Sequence, residues 1–394
     1  MVVFCNELWY YYARVVYLKK VKNIKMKPWL ITTFKVIGFI VFVCLSIFAF
    51  YRMQINSLKK LSYSEVSSNK ILFSGKKDYV LSVGKNKTLN KAFESEYYDE
   101  KYLDNYVKIK YVDHEHFIEN INKFVDLDYS NNDINIIFSH GTDESVSEFT
   151  KREKVHYLEE YFSYDFAKIE NYDRYVAYSD EFGTDPDDTI VFVNLDYDKA
   201  PYEDAKVVDK FSIDMLVNKH RRLDESFAPS DLTTVDPKYT NGEEDIQCSR
   251  LTLNAFIEMY NDALSQGYDI YINSAYRSYQ DQSEVVDLYT RDYGESYVEK
   301  YVAKVGYSEH QTGLALDVAS KNSRIFANSK EYQWMIDNAY KYGFILRYDK
   351  RFENYTLFKN EAWHFRYVGK NIAKYIYENN NMPFEEYYVM FLDK

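Results

Sequence analysis

The chain has 394 residues, 46% hydrophobic and 28% charged, with only 12 glycines and 6 prolines. That length implies two or three folding units, and that composition excludes a collagen-like, linker-rich or disordered protein. Residues 1–52 hold eight basic residues and one acidic residue, whereas the remaining 342 hold 41 basic and 60 acidic, so the acidic main body repels phosphate and excludes nucleic acid as a partner.

Cys5, Cys44 and Cys248 lie too far apart in sequence for a disulfide framework or a paired-cysteine metal knuckle. Residues 1–27 form a basic segment with Lys19, Lys20, Lys22, Lys25 and Lys27. The first 25 residues read poorly as structure, and Met26 is the expected start. "VIGFIVFVCLSIFAFY", residues 36–51, is uncharged, and "PWLITTF" before it extends the run to spanning length, with Lys35 reaching toward the headgroups. No small-residue cleavage site follows the run. Residues 28–52 are therefore expected to be a transmembrane signal anchor with the N-terminus in the cytoplasm and the rest of the chain outside.

Residues 53–90 lack a clear period and predict a juxtamembrane spacer with one short strand pair. From 91 to 210 the pattern predicts a mainly helical accessory domain, since "HEHFIENINKFVDL" and similar stretches repeat apolar residues every three or four positions. Within it "TIVFVNL", residues 189–195, reads as a strand. Past it, "DMLVNKHRRL" is strand-like. Residues 211–394 mix short strands and helices without a βαβ rhythm, which predicts an α+β domain with a mainly antiparallel sheet. Two of its helices stop at Gly267 and Gly343, as C-caps do.

Three stretches of that last region carry chemistry. In "SEHQTGLALDV", residues 308–318, strand alternation sets Leu314, Leu316 and Val318 on one face and Asp317 among alanines on the other. A carboxylate there needs compensation, either from His310 or from a metal that both share. In "EAWHFRYVG", residues 361–369, alternation directs Trp363, Phe365 and Tyr367 to one side and His364 to the other. Two histidines and one carboxylate suit zinc with a fourth position left for water, and Glu361 is spaced to move that water's proton. "NSAYRSYQDQ" ends a strand at Arg277 and starts a helix capped by Ser278; the arginine can grip a carboxylate or an oxyanion. His114 and His116, in "DHEHF", lack a third ligand and read as solvated surface. No serine elbow is present. The tyrosine wealth, 42 residues, reads as core filling rather than a carbohydrate-stacking surface.

"SEHQTGLALD" fits SxHxxGxAxD and "EAWH" fits ExxH, and with "SAYRSYQDQ" upstream the chain resembles the VanY-type D-alanyl-D-alanine carboxypeptidases. That group of zinc peptidases includes D-Ala-D-Ala dipeptidases, LD-carboxypeptidases and Hedgehog-like domains. The resemblance covers residues 211–394. It implies one zinc ion on His310, Asp317 and His364, Glu361 as catalytic base, and Arg277 as the transition-state and substrate arginine. It also implies substrate contacts from Ser308, Gln282 and Tyr348. Asn360 and Ala362 depart from the family's usual Tyr-Glu-Pro-Trp-His. The implied substrates are peptidoglycan stem peptides, reached from a membrane anchor in a Gram-positive envelope. The reaction the resemblance implies is removal of the terminal D-alanine; LD-carboxypeptidase, dipeptidase or endopeptidase action on the same polymer is the alternative, and a silent wall-binding module is the non-enzymatic one. Protein partners are not indicated.

Overall fold

The computed structural model describes residues 27–393; residues 1–26, with Cys5, the Met26 start and most of the basic run, lie outside the described residues. The apolar run forms one helix, Pro28–Lys59, opened by proline at its first turn. Its most apolar window has a mean hydropathy of 2.4, and none of that window is buried within the protein, so by length and composition it can cross a membrane. Only its last turns, through Ile55 and Leu58, are buried.

The described residues fall into two compact units that divide between Lys154 and Val155. In the first, the stretch expected to be a spacer with a strand pair is helical instead: Glu65–Phe73, Lys77–Val83 and Lys87–Glu94. Ser64 and Asn86 cap two of these helices by accepting backbone N–H groups, and Ile71, Val80, Leu89 and Phe93 are fully buried. The helices expected further on follow, among them Phe117–Asp126, Asn131–His140 and Asp143–Phe149. His114 is not solvated surface: both its ring nitrogens lie 2.8 Å from oxygens, of Asp143 and of the Phe138 carbonyl. His116 is exposed and pairs with Glu119 at 3.2 Å.

In the second unit, "TIVFVNL" belongs to the helix Pro186–Asn194 rather than to a strand. Proline at its first turn and Asp187 and Asp188 beside it favour a helix start, and burial of residues 189–195 on every side explains why the run has no helical period. Val191, Phe192 and Leu195 share a core with Leu216, Ile345, Val368 and Phe384. Residues 155–210 thus pack with the C-terminal unit. Of the strand-like "DMLVNKHRRL", only Arg221–Arg222 pairs as a strand, with Lys206–Val207.

Four antiparallel strands form the main sheet: β1 Ile270–Ser274, β2 Ala315–Ser320, β3 Phe344–Tyr348 and β4 Glu361–Tyr367, in the order β1-β2-β4-β3. The α+β expectation is met. Ile272, Leu316, Val318, Phe344 and Phe365 join one core with Phe256 and Met259 of the helix Arg250–Ser265 and Trp334 and Met335 of the helix Lys330–Asn338. Asp317 and His364 leave the opposite way.

Candidate metal centre and active site

The register pairs Asp317 directly with His364 on neighbouring strands, so both side chains rise from the same face. His310 arrives from a single turn, Glu309–Thr312, immediately before β2; Ser308 caps that turn by accepting the His310 N–H at 3.3 Å. Gly313 closes it with φ +67°, where a Cβ would come within 3.0 Å of the Ser249 nitrogen. Only glycine allows this turn to hand His310 back onto the sheet.

The three side chains converge. Their donor atoms lie within 4.8 Å of one another, with His310 Nε2 3.4 Å and His364 Nδ1 3.5 Å from Asp317 Oδ1. The other ring nitrogens are engaged behind the site, His310 Nδ1 with the Ala275 carbonyl at 2.5 Å and His364 Nε2 with Glu309 Oε2 at 3.3 Å. Asp317 Oδ1 is buried without a hydrogen-bond partner. Lone pairs from three groups therefore face one another, an arrangement that is costly unless a cation sits between them. Burial pushes the His364 pKa down, toward the neutral imidazole a metal requires. Burial works against ionised Asp317, but the imidazoles and Arg277 outweigh it and hold its pKa below the ordinary value. The donor set fits a tetrahedral metal with one open position.

Glu361 Oε2 lies 3.5 Å from His364 Nδ1. Simple alternation would turn it away with Trp363. Instead Leu346 pairs with Phe365 and Tyr348 with Glu361, so two steps along β3 match four along β4. This irregularity re-aims the side chains: Glu361 turns to the site, and Trp363, expected on the Phe365 side of the strand, is 45% exposed at the cleft. Burial, then the Asp317 carboxylate, pushes the Glu361 pKa up to about 8, with Arg277 opposing.

A bulge in β1 opposite Asp317 leads into Arg277. The Arg277 backbone N–H donates to the His310 carbonyl at 3.2 Å, and its guanidinium donates to Gln282 Oε1 at 2.8 Å. Gln282 in turn donates to the Ala303 carbonyl at 2.6 Å and is buried; both ends of its amide are engaged with the protein. Ser308 and Tyr348 line the cleft, the Tyr348 ring lying edge-on to His364 at 4.8 Å.

Sequence reasoning missed Glu309, Arg347 and Arg366. All three side chains are fully buried, and Glu309 Oε1 accepts from Arg347 Nε and Arg366 Nη1, each at 2.8 Å. Burial opposes the Glu309 charge, but the two guanidinium groups overcome it and hold its carboxyl well below the usual range. The available signal was an arginine inside each of two apolar strands, "FILRY" and "WHFRY": an arginine at such a position requires a buried acid.

Two imidazoles and a carboxylate offering lone pairs to one point, with a second carboxyl and an arginine alongside, define a single-metal hydrolase centre on an antiparallel sheet. Residues 245–370 match the family model described as "VanY: D-alanyl-D-alanine carboxypeptidase", and this domain of the chain belongs to the VanY family. The "Putative carboxypeptidase YodJ" of Bacillus subtilis (strain 168) is 40% identical over 181 residues, 44% of this chain and 66% of that protein. A D-alanyl-D-alanine carboxypeptidase of Enterococcus faecium is 34% identical over 180 residues, 44% of this chain and 56% of the relative. Among solved structures, a vancomycin-resistance D,D-pentapeptidase VanY in complex with Zn(II) is 28% identical with a TM-score of 0.40, over 45% of this chain and 99% of that one. The chain spans between about half and two thirds of the length of the curated relatives it matches.

Proposed function

We propose that the protein is a zinc D-alanyl-D-alanine carboxypeptidase that removes the terminal D-alanine from peptidoglycan stem peptides. The observation that carries this reading is the unpartnered Asp317 Oδ1 facing two imidazole lone pairs, with Glu361 beside them. His310 Nε2, Asp317 and His364 Nδ1 would hold one zinc ion. When bound there, zinc polarises the scissile carbonyl and acidifies the attacking water. Glu361 takes the water's proton and returns it to the leaving D-alanine nitrogen. Arg277, fixed in direction by Gln282, donates to the oxyanion or to the substrate's terminal carboxylate. Ser308 and Tyr348 bound the space for that terminal residue.

The helix Pro28–Lys59 supports a membrane anchor. Five lysines between positions 19 and 27 favour a cytoplasmic N-terminus and an outward-facing catalytic domain, where peptidoglycan lies. The experiment is digestion of defined stem peptides with product masses read with and without a chelator. Loss of one D-alanine, abolished by chelation, is the expected result; release of a dipeptide or of an LD-linked D-alanine would replace the assigned cut with that one. Glu361→Gln is expected to keep zinc bound while lowering turnover roughly 10²–10⁴-fold, the usual worth of a general base. Unchanged turnover would remove Glu361 from the mechanism.

A further inference from the structure

Glu309 has no part in the chemistry above, yet its carboxylate is fixed at both oxygens. Oε1 is saturated by Arg347 and Arg366, each at 2.8 Å, which leaves Oε2 facing His364 Nε2 at 3.3 Å. The arginines are themselves held. Arg347 makes a two-pronged bond to Glu385 at 2.9 and 2.5 Å, and Arg366 donates to the carbonyls of Met215 at 2.7 Å and Ile213 at 3.3 Å. Two guanidinium groups and two carboxylates balance in charge, so nothing in the cluster demands a charged imidazole. An anionic acceptor in this position requires hydrogen on Nε2, and a neutral imidazole carries only one ring hydrogen. Nδ1 is then a lone pair, and it is Nδ1 that faces Asp317 and Glu361 at 3.5 Å.

We propose that Glu309 is a positioning residue that locks His364 in the tautomer with hydrogen on Nε2, presenting Nδ1 to the metal. The role in metal binding rests on the single-metal reading of the site. Carboxylates behind metal-bound histidines act in this way, and their loss costs about 10–100-fold in metal affinity. Here the anchors of the relay, Glu385, Met215 and Ile213, lie outside residues 245–370, the part matched by the family model. The final helix Phe384–Phe391 therefore takes part in orienting a ligand on β4 through Arg347 and Glu309.

The test uses the full chain in detergent micelles with ¹⁵N-labelled histidine. Long-range nitrogen–proton correlation spectra of the metal-free protein report which His364 nitrogen bears hydrogen, the signal being assigned by its loss in His364→Gln. Nε2–H is expected in the wild type. In Glu309→Gln the amide oxygen stays with the arginines and its NH₂ group turns to His364. Hydrogen on Nδ1 and a roughly 10–100-fold weaker zinc affinity by chelator competition are then expected. Glu309→Asp keeps the anion and should recover part of that affinity. Wild-type hydrogen on Nδ1, or folded Glu309→Gln with unchanged tautomer and zinc affinity, overturns the proposal; the wild-type spectrum decides even if every variant fails to fold. A wild type that carries Nε2–H but binds no zinc upholds the tautomer lock and overturns the metal reading alone.

Discussion

Asp317 is an acceptor placed among acceptors. Its Oδ1 has no hydrogen-bond partner, and the nearest ring nitrogens, at 3.4 and 3.5 Å, are the two whose opposite sides already donate to Ala275 and Glu309. A carboxylate oxygen so placed is completed by a cation rather than by a hydrogen-bond donor. Asp317→Asn is therefore expected to abolish the stabilisation that added zinc gives the wild type. Paired urea melts with zinc and with chelator read the effect; a variant stabilised by zinc as much as the wild type would remove Asp317 from the ligand set. Strand alternation made Asp317 legible, since it fixes which side a residue leaves from. It does not fix what a side chain meets there. Glu309 therefore passed unnoticed inside the very motif that gave His310, and the amide of Gln282, a residue that does line the cleft, is held by Arg277 and Ala303.

The elements bearing the site are aimed by departures from regular geometry. The β3/β4 irregularity turns Glu361 inward and Trp363 outward, and no periodic pattern can announce such a break. The helix Pro186–Asn194 was misread for the complementary reason: buried on all sides, its apolar run has no period to betray a helix. Gly343 lies between these cases. Its place as the stop before β3 was readable, whereas its close approach to β4 was not. It adopts φ +91°, and a Cβ there would meet the Tyr367 ring at 2.8 Å and the Gly369 backbone at 3.0 Å. Gly343→Ala must strain the backbone and push β3 from the end of β4, so a loss of about 1–3 kcal/mol is expected. Chemical denaturation would measure it, and an unchanged midpoint would mean the strand ends can move apart freely.

At the scale of the whole molecule, the charge asymmetry and the apolar run were legible, but the way the run joins the first unit was not. A helix of 32 residues is about 48 Å long, more than the roughly 30 Å of a bilayer's hydrocarbon core. Its final turns are spent inside the protein: Ile55 is 1% exposed and Leu58 fully buried, whereas Phe50 and Met53 are 62% and 58% exposed. The helix therefore enters the first unit without a flexible spacer, and the helices from Glu65 onward build on it. Removing residues 1–50, which spares the Tyr51 hydroxyl bonded to Asn69, should free the protein from membranes in carbonate extraction while leaving the first unit's stability unchanged. Removing residues 1–59 also discards Ile55 and Leu58, whose burial is worth about 1.5–3 kcal/mol each, so the first unit should become markedly easier to unfold and to proteolyse. Val155–Lys394 is a separate compact unit with its own cores, and zinc affinity should be the same in both truncations. Equal protease resistance of the first unit in the two truncations would show that the last turns of the helix contribute nothing to it.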